Sequence, residues 1–341
     1  MKRAELKPRL FQLASVLLVL SACASPLPKA PPLFVNSMKT SVLATNQRFV
    51  VVRTGENETF SSLAQTYLGS ADRGEEIADF NQMTALSSGQ VVAIPQYRTR
   101  IPGLSRQGVQ TIPILCYHRF GNGGGKMSVS AEAFAAQLAY LRQNHYTVVA
   151  LDNLLEFLEG KRTLPDRSVV ITIDDGYRST FEIAYPLLKK FAFPATVFLY
   201  TDFVGASDAL SWPQMKEMVD SGFILIQPHT KTHTNLAVQY AHETPEAYLK
   251  RIESEIDQSG DLISQRLGVK SSIFAYPYGD TNEKVVQLLQ RNHYALAVTV
   301  QAGTNTPFAP PYMLKRTMVY GDQDIQEFSK ALVIFREFSS N

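Results

Sequence analysis

Residues 171–177 read ITIDDGY, and the run that feeds them, 169–173, is Val-Val-Ile-Thr-Ile. Five consecutive apolar or β-branched residues with no polar alternation read as a strand buried on both faces, as in parallel sheets. Asp174 and Asp175 then fall at the C-terminal end of that strand, where α/β folds place their chemistry. Two adjacent carboxylates repel when both ionise, so the pair calls for a cation or for a raised pKa. Gly176 permits the tight turn after them. Taken alone, the stretch is equally readable as a strand end with an Asp-Gly turn.

Residues 222–233, GFILIQPHTKTH, repeat the arrangement with different side chains. An apolar run, 223–226, leads into His229 and His233. Two histidines four apart beyond a strand suit two ligands of one metal if the chain turns helically between them. One aspartate from the first stretch completes a His-His-carboxylate set with positions open to water. His145, His242 and His293 sit in helix-like or loop-like surroundings and read as surface or packed residues.

A third stretch, 272–281, reads SIFAYPYGDT, a strand running into Pro277-Tyr278-Gly279. In this order the three stretches resemble the motifs of the polysaccharide deacetylase superfamily, the NodB-homology deacetylases. TIDD (172–175) is similar to the first motif, HTKTH (229–233) to the second and AYPYG (275–279) to the third. The segments FAFPATVFLYTDFVG (191–205) and LSWPQMKEMVDSG (210–222) fit as well, and the resemblance runs from 111 to about 335. Over this span, strand-like runs (112–118, 146–151, 169–174, 195–200, 223–227, 272–276, 295–300, 313–319) alternate with helical ones. The helical runs are 131–144, 154–158, 180–191, 213–220, 245–267, 283–292 and 325–335. Such alternation argues for parallel strands with crossover helices. The resemblance implies an α/β deacetylase domain over 111–337, a distorted (β/α)7-type barrel with its site at the C-terminal strand ends.

It also implies roles. Asp175, His229 and His233 match ligands of a divalent metal, Zn first, with Co, Ni or Mn as alternatives. Asp174 matches the general base, and the backbone N–H of Tyr278 the oxyanion donor. Thr230 orients the His229 loop. Trp212, Pro277 and Tyr278 are candidate substrate contacts; Trp212 and Tyr278 read equally well as packing. The chain departs from the family pattern in three places. The arginine usual two residues before the motif-three proline is Ala275, and Arg316 is the candidate replacement. Gln227-Pro228 precedes His229 where small residues are usual. After Gly279 the only histidine is His293, so the late histidine that serves as general acid is missing. His118, ending the apolar run 114–118 (ILCYH), is the candidate acid, in a permuted order found in the biofilm-type deacetylases that this opening resembles.

The ends of the chain carry separate signals. Residues 1–23 begin with Lys2, Arg3, Lys7 and Arg9, continue through an apolar run (10–20) too short for an ordinary membrane span, and end in LSAC (20–23). This resembles a lipoprotein signal peptide with Cys23 lipidated, and Ala24 then implies an outer-membrane anchor facing the periplasm. Cys116 would be left without a partner and reads as a buried thiol. Residues 24–48 read as a flexible tether. Residues 49–97 read as strand, helix (59–67), helix (74–81), strand (89–95), and resemble a βααβ LysM domain, carried by Val52, Gly55, 62–64, Asn81, Leu86, 89–90 and 94–95. Such domains bind chains containing N-acetylglucosamine, most often peptidoglycan. Here Glu58-Thr59-Phe60 comes one residue later than the usual Asp-Thr-Leu. Residues 98–110 read as a basic linker.

The whole chain has 341 residues, 45% hydrophobic and 19% charged, with net charge +2, which makes no case for nucleic acid. The leading expectation is a metal-dependent N-deacetylase acting on N-acetylglucosamine in a cell-envelope polysaccharide. Peptidoglycan and exported poly-N-acetylglucosamine compete as substrates. A catalytically inactive wall-binding lipoprotein and an O-acetyl esterase are the alternatives.

Overall fold

The computed structural model describes residues 39–338 apart from Arg98, Arg100, Arg106 and Gly124. The signal-peptide and Cys23 assignments, and most of the tether, lie outside the described residues.

A small unit comes first. Strands Ser41–Thr45, Phe49–Arg53 and Val91–Pro95 form an antiparallel sheet in that order. Helices Phe60–Leu68 and Gly74–Phe80 lie between the second and third strands and pack Leu63, Ala64 and Ile77 on Val52, Val92 and Ile94. Thr59 and Ser62 cap the first helix reciprocally, and Gly69 ends it in the left-handed region at φ 75°. Asn81 ties the second helix to the closing strand: its amide donates to the carbonyls of Ile77 and Ala93 and accepts from the Ala93 N–H. Ser41–Thr45 corrects the tether reading. All five of its residues are exposed, so no inside–outside alternation marks it in the sequence, and backbone pairing alone makes it a strand.

In the large domain, Ile112–Tyr117, Ser168–Ile173, Ala195–Leu199 and Ile224–Pro228 are laddered in parallel. Ile273–Ala275 pairs in parallel with Leu296–Val298, Val298 bridges Leu314, and Thr317–Met318 returns in parallel to Ile112–Tyr117. Seven parallel strands thus follow one another in a barrel-like ring. Every residue of Ile112–Tyr117 and Ser168–Ile173 is buried, which is why both read as uninterrupted apolar runs. Alternate residues serve two cores. Ile114, Val170, Phe198 and Leu314 belong to one cluster, and Leu115, Ile171 and Val197 pack outward on Leu138 and Leu188 of the covering helices.

Other elements also differ from the sequence reading. The 180–191 helix opens as a π-turn, Thr180–Ala184, before α-helix Tyr185–Phe191; Pro186 has no N–H for an ordinary α-helical bond there. The last helix stops at Lys330, and Phe335–Glu337 is instead a strand paired with Gly108–Gln110, the end of the expected linker. The 146–151 run shortens to Thr147–Val148, which pairs beside Ser168–Val169 and adds no strand to the ring. No described helix is long and apolar enough to cross a membrane.

Candidate active site

The two aspartates leave the same strand and go to different partners. Asp174 continues the ladder, its N–H donating to the Tyr117 carbonyl at 2.8 Å. Its side chain is buried and meets Arg316, itself 0% exposed, in a bidentate pair: Nη1 to Oδ1 at 2.7 Å and Nη2 to Oδ2 at 2.6 Å. The guanidinium is held in turn by the Thr299 carbonyl (2.8 Å) and the Thr172 hydroxyl (3.2 Å). Burial alone would raise the Asp174 carboxyl, but Arg316 outweighs it and holds the group well below the usual carboxylate range. Cys116 places its sulfur 3.5 Å from Asp174 Oδ2, and burial pushes its thiol far up, so it stays protonated.

Asp175 turns the other way because its backbone is left-handed, φ 74°. Gly176 follows at φ 82°, where a Cβ would come within 2.5 Å of Leu199 Cδ1. Burial pushes the Asp175 carboxyl up to about 6; His118 pulls it down and the Asp174 charge pushes it further up.

His229 follows Ile224–Pro228, and its N–H donates to the Leu199 carbonyl. Its Nδ1 lies 2.7 Å from the Ala275 carbonyl, so Nδ1 carries the proton and Nε2 faces the cavity. Burial pushes this imidazole down to about 4 and lowers His233 as well, so both rings are neutral near pH 7. The segment between them is not helical, contrary to the sequence expectation. Thr230 (φ 69°) and His233 (φ 64°) are both left-handed, and the Thr230 hydroxyl accepts the His233 N–H. The buried carboxylate of Glu255, from helix Pro245–Leu267, accepts the N–H groups of Lys231 and Thr232 and the Thr232 hydroxyl at 2.7–3.0 Å.

Asp175 Oδ1 lies 3.4 Å from His233 Nε2 and 3.7 Å from His229 Nε2, and one donor atom from each residue falls within 4.8 Å of the others. Two neutral imidazoles and one carboxylate grouped in this way suit a divalent ion such as zinc, with the cavity side left open.

The cavity above them, about 560 Å³, is walled by His118, Arg119, Tyr177, Tyr278, Met318 and Tyr320. His118 is the first residue after strand Ile112–Tyr117. A ring nitrogen lies within 4.8 Å of an Asp174 carboxylate oxygen, outside the Asp175–His229–His233 set. Tyr278 is 60% exposed, left-handed at φ 61°, and sets its ring 4.9 Å from that of His233. Its N–H donates to no acceptor among the described residues. Two expected substrate contacts lie elsewhere. Trp212 starts helix Trp212–Asp220, packs half-buried on the main core under Arg266, and is not part of the cavity wall. Pro277 is buried beneath the turn whose shape it fixes. His145 and His293 sit just past helix ends, both with positive φ, and His242 stacks on Tyr240.

Sequence reasoning missed Tyr177, Arg119 and Tyr320 at the mouth and Glu255 beneath it. Tyr177 lies two residues beyond Asp175 and Arg119 directly follows His118, and that proximity was the available signal. Glu255 shares the buried helix face with Ile252, Ile256 and Ser259, so a charged residue at an apolar-face position was its only mark.

A sequence profile for polysaccharide deacetylases matches residues 161–297. YxkH of Bacillus subtilis, named for that family, is 30% identical over 208 residues, 61% of this chain and 71% of its own length. The Staphylococcus aureus poly-beta-1,6-N-acetyl-D-glucosamine N-deacetylase is 27% identical over 200 residues, 57% of this chain and 69% of that one. Among solved structures, IcaB from Ammonifex degensii is similar at TM-score 0.57 and 29% identity, covering 62% of this chain and 93% of that chain. With 30% identity to a relative named for the family over 71% of that relative's length, and with the profile match beside it, the chain belongs to the polysaccharide deacetylases.

Proposed function

We propose that the protein is a metal-dependent N-deacetylase that removes acetyl groups from N-acetylglucosamine residues of an exported polysaccharide, poly-β-1,6-N-acetylglucosamine first. The observation that carries this reading is the separation of the two aspartates. One is locked to a buried arginine, and the other is grouped with two neutral imidazoles on the wall of the same cavity. The names of the curated relatives support the polymer.

Asp175, His229 and His233 would hold the divalent ion, which when bound would polarise the acetyl carbonyl and acidify water. Asp174 stays ionised beside Arg316 and accepts the proton of the attacking water. Both of its oxygens already accept from Arg316, so it would work through its remaining lone pairs, as a weak base. The free Tyr278 N–H faces the oxygen on which charge develops. His118 returns a proton to the departing nitrogen, so that acetate and a sugar amine leave. Tyr278 and Tyr320 offer ring faces for stacking on the sugar.

The small unit serves as a LysM domain on peptidoglycan or a related chain; its strand-helix-helix-strand order supports this. The LSAC sequence at 20–23 supports lipidation of Cys23 and attachment to the envelope, facing the periplasm. Acetate release, measured side by side on poly-β-1,6-N-acetylglucosamine, peptidoglycan and acetylated xylan, tests the reading. The expected result is zinc-dependent release fastest from the first. Release from xylan alone would make the enzyme an esterase, and release from none would make it an inactive binder.

A further inference from the structure

Among the described residues, the ring has one seam. Ile224–Pro228 is laddered to Ala195–Leu199 along its whole length, but on its other side no backbone ladder joins it to the neighbouring Ile273–Ala275. Pro228 has no N–H to give there. The side chain of Gln227, 0% exposed, fills the seam instead. Its Oε1 accepts the N–H groups of Ser272 and Ile273, both at 2.8 Å, and its Nε2 donates to the carbonyls of Lys270 and Ile226, both at 2.9 Å. Both donors and both acceptor sites of the amide are used. A flipped amide would set oxygen against two carbonyls and nitrogen against two N–H groups.

Two residues along each strand from this stitch, the His229 ring meets the Ala275 carbonyl at 2.7 Å. No backbone ladder bridges the two strands there, so the Gln227 amide carries the hydrogen bonds across the seam beside this contact. The separation that Gln227 sets across the seam therefore decides whether the carbonyl reaches Nδ1. That bond in turn decides which nitrogen carries the proton and where Nε2 points.

We propose that Gln227 is a positioning residue for the metal, acting through the seam and the Ala275 carbonyl on the orientation and tautomer of His229. The proposal rests on the reading of Asp175, His229 and His233 as a metal centre. Gln227→Met keeps the volume and removes all four bonds. Gln227→Asn keeps the amide on a stem too short to span the gap, and decides the matter if the first variant does not fold. Leu138→Ala, on the core face of the covering helix Ala131–Gln143, controls for general destabilisation.

Two measurements are made on the full chain: zinc affinity by competition with a chromogenic chelator, and ¹⁵N shifts of the imidazoles in metal-free protein. A positioning role predicts affinity about 10–100-fold weaker in the Gln227 variants, the usual effect of losing a partner behind a ligand, with Leu138→Ala unchanged. It also predicts that His229 moves from a single Nδ1-protonated form to a tautomer mixture. A folded variant within about threefold of wild-type affinity that keeps a single tautomer overturns the proposal. If wild type takes up no zinc, the metal-centre reading fails, and the tautomer measurement still tests what Gln227 does to His229.

Discussion

Burial acts on Asp174 and Asp175 alike, and their partners drive them apart. Arg316 holds the first ionised, while the second rises to about 6 among neutral rings. Asp174→Asn should therefore retain zinc and lose about 10²–10⁴-fold in rate, the usual worth of a positioned base. Asp175→Asn should lose zinc affinity too. Wild-type acetate release by Asp174→Asn would remove it from the base role. Arg316→Met isolates the pair's contribution to stability. Because the folded-state pKa of Asp174 is depressed, its contribution is present above the unfolded value near 3.9 and is lost only as pH falls through the folded value. Without Arg316 the sign reverses, since a buried carboxylate left unpaired destabilises whenever it is ionised. The variant should be about 3–5 kcal/mol less stable at pH 7 and regain part of this at pH 5, read by urea unfolding of metal-free protein. Equal losses at both pH values would locate the defect elsewhere.

At the level of elements, three strand-to-loop turns deliver the site, and each uses left-handed backbone at a non-glycine residue: Asp175, the Thr230–His233 pair and Tyr278. Such strain persists only where surroundings over-determine it. The Tyr278 turn leans on Gly279, at φ 77°, where a Cβ would lie 2.5 Å from the Val300 backbone nitrogen. Backbone cannot yield as a side chain can. Gly279→Ala should displace Tyr278 and slow acetate release by up to about 10²–10³-fold, the effect of losing one oxyanion donor, while zinc content stays at wild type. Loss of zinc with rate would show instead that the turn supports the histidines. These turns also mark how far the sequence could be read. Strands 112–117 and 168–173 were legible because both faces are buried, and the motif aspartates and histidines because they end such runs. Ser41–Thr45 and Phe335–Glu337 were not legible, because exposed residues held by backbone pairing carry no periodicity. The pairing of Arg316 with Asp174, 142 positions apart, was suggested only by the empty arginine slot at Ala275. The displacement of Trp212 and the reach of Tyr320 were decided by packing among distant elements.

Across the whole molecule, the proposed function divides binding and hydrolysis between two units. The small one has a core of its own, built on Val52, Leu63, Ile77 and Ile94. Deleting residues 49–97 should reduce retention on peptidoglycan sacculi and leave hydrolysis of short soluble oligomers within about twofold. Loss of both together would make the small unit a structural support. The exposed strand Ser41–Thr45 has a consequence of another kind. If Cys23 carries the lipid, the chain between membrane and protein ends where that strand docks, at Ser41 opposite Arg53, and not at Phe49. Fully extended, about 18 residues span at most about 60–65 Å, and the docked strand withholds about 26–29 Å that a free tether would have added. Under that anchor the strand would act as a stop on a leash, setting how deep into the envelope the enzyme could graze.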